Sequence, residues 1–273
     1  MPLRFFAQQR RNYFRPAPGY GFVLQDGSTP PAPDSIRIPG TPIVLRRDEP
    51  VAITLVNRTE GFVTVHWHGV ELDSYYDGVG DWSGGPHPAG TATPIAPGDS
   101  FLVRFTPQRA GTFIYHTHQD ESQQLASGLY GPLVVLPPGA TRDTTTDMVF
   151  LVGRGGPGPQ GPPLLNGSTA PVPQDWKIGT TYRLRLINIT PSDRERVVLM
   201  VDSAVQEWRA VAKDGADLPR QQARVRRADL FLGAGETYDF EFTQTAARDF
   251  SLAVTVLSRG REIGTIRVPI RVR

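Results

Sequence analysis

Apolar residues in this chain gather into short runs rich in β-branched and aromatic side chains. Among them are Ile53-Thr54-Leu55-Val56, Phe62-Val63-Thr64-Val65, Phe101-Leu102-Val103-Arg104-Phe105, Tyr182-Arg183-Leu184-Arg185-Leu186-Ile187, Thr237-Tyr238-Asp239-Phe240-Glu241-Phe242 and Leu252-Ala253-Val254-Thr255-Val256. Clusters of Gly, Pro, Asn and Asp, the residues that turn a chain, fall between the runs. The 3.6-residue period of an amphipathic helix is nearly absent, and only the stretch after Asp120, through Leu125, predicts a turn or two of helix. Short strands at this spacing predict an all-β chain of Greek-key sandwiches.

The pattern breaks once. After Leu133-Val134-Val135-Leu136 comes Pro137-Pro138-Gly139-Ala140, then the polar run Thr141 to Asp147, before apolar residues resume at Met148. Such a stretch predicts a boundary between two domains, residues 1–138 and 148–273. Gly153 to Pro163 is rich in Gly and Pro and reads as a flexible connection; its Gly153-Arg154-Gly155-Gly156 lacks the strand-to-helix context of a phosphate loop.

Composition narrows the function. At 39% hydrophobic and 21% charged residues the chain is of the soluble globular kind, and no apolar run approaches the roughly 18 residues of a membrane span. The formal net charge of +2 and the scatter of arginines argue against nucleic acid as a partner. With no cysteine the chain has no disulfide framework, no zinc–thiolate site and no thiolate for a blue-copper centre. Met1 to Phe14 mixes arginines with aromatics and lacks the apolar core of a signal peptide.

Candidate chemistry lies in the histidines. Four of the five fall in two pairs, His66-Trp67-His68 and His116-Thr117-His118. Side chains alternate faces along a strand, so residues i and i+2 project together, and each pair is expected to aim two imidazoles at one metal or two adjacent metals. Neutral imidazole suits copper, zinc, iron and nickel. His87, in Gly84-Gly85-Pro86-His87-Pro88, is expected to be a solvent-exposed bystander. Trp67 is expected to pack between sheets and the Tyr75-Tyr76 pair within its loop. Asp120 and Glu121 read equally as acceptors for a ligand imidazole or as helix N-terminal carboxylates.

His66-Trp67-His68-Gly69, Asp77-Gly78-Val79, Thr93-Pro94-Ile95-Ala96-Pro97-Gly98, Ala110-Gly111-Thr112-Phe113-Ile114-Tyr115-His116-Thr117-His118 and Gly128-Leu129-Tyr130-Gly131-Pro132-Leu133-Val134-Val135 together closely resemble the first cupredoxin domain of the laccase-like multicopper oxidases. The second half resembles that family's copper-free second domain through Leu165-Asn166-Gly167, Lys213-Asp214-Gly215 and Gly235-Glu236-Thr237-Tyr238-Asp239. The resemblance implies two cupredoxin-like sandwiches and copper as cofactor. It implies that His66 binds a lone type 2 copper, His68 and His116 one copper of a type 3 pair, and His118 the other, as half of a trinuclear site. Asp77 matches an acidic residue that helps deliver protons. The remaining four ligands and the type 1 copper come, in the family, from a further cupredoxin domain; the chain ends at Arg273, about where the linker to it is expected.

Oxidase activity is therefore expected only with that domain, as a missing segment or a partner chain. The alternative is a non-catalytic copper- or zinc-binding protein. A twofold homo-oligomer that pairs its histidine sets across an interface is a further route to completion. Family members imply a periplasmic or extracellular setting.

Overall fold

The computed structural model describes residues 2–80, 94–158 and 161–273. His87 and Thr93 lie outside the described residues. Among the described residues, apart from a short 3-10 turn at Ser74–Tyr76 and a single π turn at Glu121–Leu125, the regular elements are strands, and the fold is all-β. Its contacts divide it into two compact units, Met1–Ala140 with Arg154–Gly161, and Thr141–Gly153 with Pro162–Arg273. Arg154 to Gly158 and Gly161 of the Gly/Pro loop thus belong with the first unit, where the Gly156 N–H donates to the Ala126 carbonyl at 3.0 Å, while Gly153, Pro162 and Pro163 belong with the second.

The first unit contains β1 (Pro2–Phe14), β2 (Ala17–Leu24), β3 (Ile43–Arg46), β4 (Val51–Arg58), β5 (His66–His68), β6 (Ser100–Phe105), β7 (Gly111–His116) and β8 (Tyr130–Leu136). They form two four-stranded sheets, in the orders β2-β1-β4-β6 and β3-β8-β7-β5. Val51–Arg58 alternates buried and half-buried positions, as its sequence pattern demands, whereas β7 and β8 are buried along their whole length. Between the sheets lie Phe5, Phe22, Trp67, Phe105, Phe113 and Tyr115. Trp67 is fully buried, 5.4 Å from the Phe105 ring and 6.4 Å from that of Tyr115, so it anchors β5 from the core side and leaves its flanking histidines on the other.

The second unit runs through β9 (Asp147–Arg154), β10 (Pro163–Leu165), β11 (Gln174–Trp176), β12 (Thr181–Asn188), β13 (Arg194–Val201), β14 (Ala204–Val205), β15 (Glu207–Lys213), β16 (Ala216–Asp217), β17 (Val225–Arg227), β18 (Asp229–Leu232), β19 (Thr237–Thr243), β20 (Arg248–Ser258) and β21 (Arg261–Val272). One sheet has the order β10-β9-β12-β19-β15-β16 with β17 on β15, the other β11-β21-β20-β13-β14 with β18 on β13. Its core holds two stacked aromatic pairs, Trp176 on Tyr182 at 4.3 Å and Trp208 on Phe240 at 4.1 Å. Such pairs stabilise beyond the area they bury by about 0.5–1.5 kcal/mol each.

A buried polar bracket recurs in both units. In the first, the Asn57 carbonyl oxygen of the side chain accepts from the Thr59 N–H and hydroxyl, both at 2.8 Å, while its amide donates to the Gly61 and Ile95 carbonyls. In the second, Asn188 accepts from the N–H and hydroxyl of Thr190 and donates to the Asp193 and Leu232 carbonyls. Each asparagine also takes a glycine N–H on its own backbone carbonyl, Gly98 or Gly235, at 2.8 Å. Both asparagines are 0% exposed, so every polar atom the turn buries must be satisfied internally. The same solution at the same place explains why Asn-x-Thr and a later Gly-Asp or Gly-Glu occur in each half.

Candidate metal centre

Strand β5 pairs antiparallel with β7 so that His66 stands opposite His116 and Trp67 opposite Tyr115. Directly opposed residues share a face, so the tryptophan and tyrosine point into the core and the histidines away from it. His66, His68 and His116 each offer a ring nitrogen, and these three atoms lie within 4.8 Å of one another. His118 follows the end of β7, where the chain leaves the ladder; its ring centre is 5.7 Å from that of His66 and 6.2 Å from that of His116. The first three rings make a compact group, and the fourth stands beside it.

Hydrogen bonds choose the nitrogens. His66 Nδ1 lies 3.0 Å from both the backbone carbonyl and the carboxylate Oδ1 of Asp77. With its proton held there, Nε2 remains as the donor atom toward a metal. His116 Nδ1 donates to the Thr117 carbonyl at 2.7 Å, which likewise leaves Nε2. That atom faces His68 Nδ1 at 3.4 Å. Two nitrogens 3.4 Å apart, each about 2.0–2.1 Å from one ion, subtend about 110° at it, near the tetrahedral value. The donor set therefore fits an imidazole-ligated transition ion.

Electrostatics favour the metal-ready form. Burial, reinforced by the charges that His66, His68 and His118 would carry, pushes the His116 ring down from 6.5 to about 3. At neutral pH it is uncharged, and no proton must be removed before it can ligate. His116 is 5% exposed, whereas the His118 side chain is 39% exposed with Nε2 3.8 Å from Glu121. Asp120 acts as a cap: its Oδ1 accepts from the Gln123 N–H and the Ser122 hydroxyl. The two carboxylates that the sequence left equivalent thus divide their roles.

The segment that brings Asp77 to His66 depends on Gly78, whose φ is +74° and whose missing Cβ would fall 1.9 Å from the Val65 carbonyl oxygen. Only glycine lets the chain approach the backbone next to His66 so closely. Tyr75 and Tyr76 pack edge to face with each other at 5.1 Å and against Phe101, which makes them part of this loop's support. After His68, the Gly69 carbonyl is held by Arg109, itself paired to Glu71 at 2.6 Å. Thr64 and Gln124, which sequence reasoning passed over, also join the site: the Thr64 hydroxyl accepts the His118 N–H, and Gln124 accepts from the Thr117 hydroxyl. Gln124 has no local pattern to mark it.

Residues 36–140 match the family model described as multicopper oxidase. A multicopper oxidase of Talaromyces pinophilus is 38% identical over 101 residues, 37% of this chain and 15% of the relative. Laccase-12 of Oryza sativa subsp. japonica is 31% identical over 186 residues, 57% of this chain and 31% of the relative. The chain thus corresponds to less than a third of these relatives' length. The blue copper oxidase of Nitrosomonas europaea superposes with a TM-score of 0.70 at 20% identity, covering 99% of this chain and 85% of that one. The fold is that of the cupredoxin-type multicopper oxidases, and the first unit carries the match to that family's model. Among the described residues, no helix is long and apolar enough to cross a membrane.

Proposed function

We propose that this chain is the part of a multicopper oxidase that supplies half of a trinuclear copper site, through His66, His68, His116 and His118. The observation that carries the reading is the group of three imidazole donors within 4.8 Å, two of them with their other nitrogen already committed to the protein. Copper held there would supply the electron-accepting, oxygen-binding centre. His66 is kept in one tautomer by Asp77, and the low proton affinity of His116 keeps its Nε2 available. The Asp77 carboxylate, whose side chain is 29% exposed, faces both the site and water, and it is suited to hand a proton inward as a general acid.

The sequence contains no cysteine, so the thiolate of an electron-entry copper and the other cluster ligands come from a further domain or a partner chain. Activity as an oxidase of phenols or metal ions follows only in that company, in a periplasmic or extracellular setting. The test is a copper titration by calorimetry on the parent chain and on a His68→Ala/His116→Ala variant. Tight binding in the parent, its loss in the variant, no blue absorption band and no phenol oxidation by the chain alone are expected. Unaltered binding in the double variant overturns the reading. A copper-dependent dimer in light scattering would instead place completion of the site between copies of this chain.

A further inference from the structure

Three of the four imidazoles are fixed by what their own ring atoms touch: His66 by Asp77, His116 by the Thr117 carbonyl, and His68 by His116. Among the described residues, the His118 ring has no such contact closer than the 3.8 Å to Glu121, and its backbone has left the β7 ladder. Its position is set instead through the main chain. The His118 N–H donates to Thr64 Oγ1 at 3.1 Å. On the other side of the same peptide, Thr117 Oγ1 donates to Gln124 Oε1 at 2.7 Å and accepts the Gln119 N–H at 3.2 Å. Gln124 Nε2 donates to the Phe62 carbonyl at 2.8 Å, two residues before Thr64.

These bonds close a ring: Phe62, Thr64, His118, Thr117, Gln124 and back to Phe62. Thr64, Thr117 and Gln124 are 2%, 0% and 7% exposed, so water does not substitute for a lost partner and each deletion leaves a buried polar atom unsatisfied. The ring ties the segment that leads into His66 to the segment that carries His118. The π turn serves it, because the wide i→i+5 bond from the Leu125 N–H to the Asp120 carbonyl turns Gln124 inward; such turns concentrate at functional sites.

We propose that Thr117, Gln124 and Thr64 are positioning residues that set the separation of the two histidine pairs and, above all, the place of the His118 ring. The proposal rests on the copper reading above for its purpose, but not for its test. In the metal-free chain, the imidazole NMR resonances report the rings directly. Thr117→Val and Gln124→Met, near-isosteric changes that break the ring of bonds, are expected to shift the His118 resonances while those of His66, held by Asp77, stay in place. Copper(II) affinity, measured by competition with a chromophoric chelator, is expected to fall by about 10- to 100-fold, the usual effect of removing a residue that orients a ligand. The paramagnetic resonance spectrum of bound copper changes with it, and Thr117→Ser restores both within about threefold. Should either variant lose its fold by circular dichroism, Thr64→Val opens the same ring at its third member without leaving a cavity. Unshifted His118 resonances together with unchanged copper affinity in any folded ring-opening variant overturn the proposal. A parent chain that binds no copper sinks the functional reading instead, and the resonances still decide this one.

Discussion

Alanine at position 78 puts a methyl group where none fits, and the chain provides its own control. Gly78 and Gly139 share a φ of +74° and lie in the same unit, but a Cβ at Gly78 meets the Val65 oxygen at 1.9 Å and carbon at 2.4 Å, whereas one at Gly139 meets nothing within 4 Å. The left-handed backbone costs a non-glycine residue about 1–2 kcal/mol at either site. At Gly78 the loop must also retreat by more than an ångström to reach ordinary contact, which carries Asp77 beyond hydrogen-bond range of His66 and removes a charge-assisted bond worth about 1.5–3 kcal/mol. Gly78→Ala is therefore expected to lose about 2.5–5 kcal/mol and Gly139→Ala about 1–2. At about 3–5 °C per kcal/mol for a unit of this size, the melting temperatures separate by roughly 5–15 °C. Differential scanning calorimetry of the two variants, with copper affinity measured alongside, gives the answer. If both melt together, or if Gly78→Ala binds copper like the parent, the close approach does not position Asp77 as described.

Asp77→Ala is expected to weaken copper binding by about 10- to 100-fold, with Asp77→Asn, which keeps an acceptor oxygen, losing less; calorimetry of both separates orientation from charge. Glu195 is 1% exposed with one carboxylate oxygen lacking a partner, and burial holds its carboxyl well above the usual range. Because the unfolded chain releases that proton near pH 4.5 and the folded one keeps it, the parent's stability falls as pH rises above that point. Glu195→Gln is expected to flatten the dependence and to gain about 1–3 kcal/mol at pH 8 in urea unfolding; equal slopes in both proteins would refute this. Burial alone would raise the Asp147 carboxyl, but the hydrogen bonds and charge of Arg185, with Arg142 and Arg183, hold it below the usual range. Its stabilisation is present above the unfolded value of 3.8 and is lost as pH falls through the lower folded value. Arg185→Met removes the bonds at 2.6 and 3.0 Å that Arg185 gives to Asp147 and Asp239, leaving Asp147 with Arg142 and Asp239 with Arg183. It is expected to cost about 1.5–3 kcal/mol at pH 7, the worth of hydrogen bonds to charged groups, and a loss under 1 kcal/mol would show that the network is dispensable.

Strand content is legible in the residues because the two-residue period is a local property: Val51–Arg58 needs only its own alternation to show which face is buried. The histidine pairs are legible for the same reason, since the i, i+2 spacing alone puts two rings on one side. Fully buried strands such as β8 are harder to place, as an apolar run carries no period. The π turn at Glu121–Leu125 is visible only as a brief helical stretch, because its i→i+5 bonding answers to Gln124's partners far along the chain. Gln124 itself is one glutamine among several, and its role exists only once Phe62 and Thr117 are beside it.

By itself, then, the sequence determines that the chain is all-β, that it carries two pairs of imidazoles fit for a metal, and that it brings no thiolate. Tertiary structure decides that His66 stands opposite His116, that His68 turns Nδ1 toward His116 Nε2 while His118 stays a ring's width away, and that Asp77 rather than Asp120 or Glu121 takes the proton of His66. The division has a physical cause. Side-chain direction along a strand is fixed by bonds between neighbours, whereas the register between strands and the closure of buried hydrogen bonds are settled by the packing of residues distant in sequence.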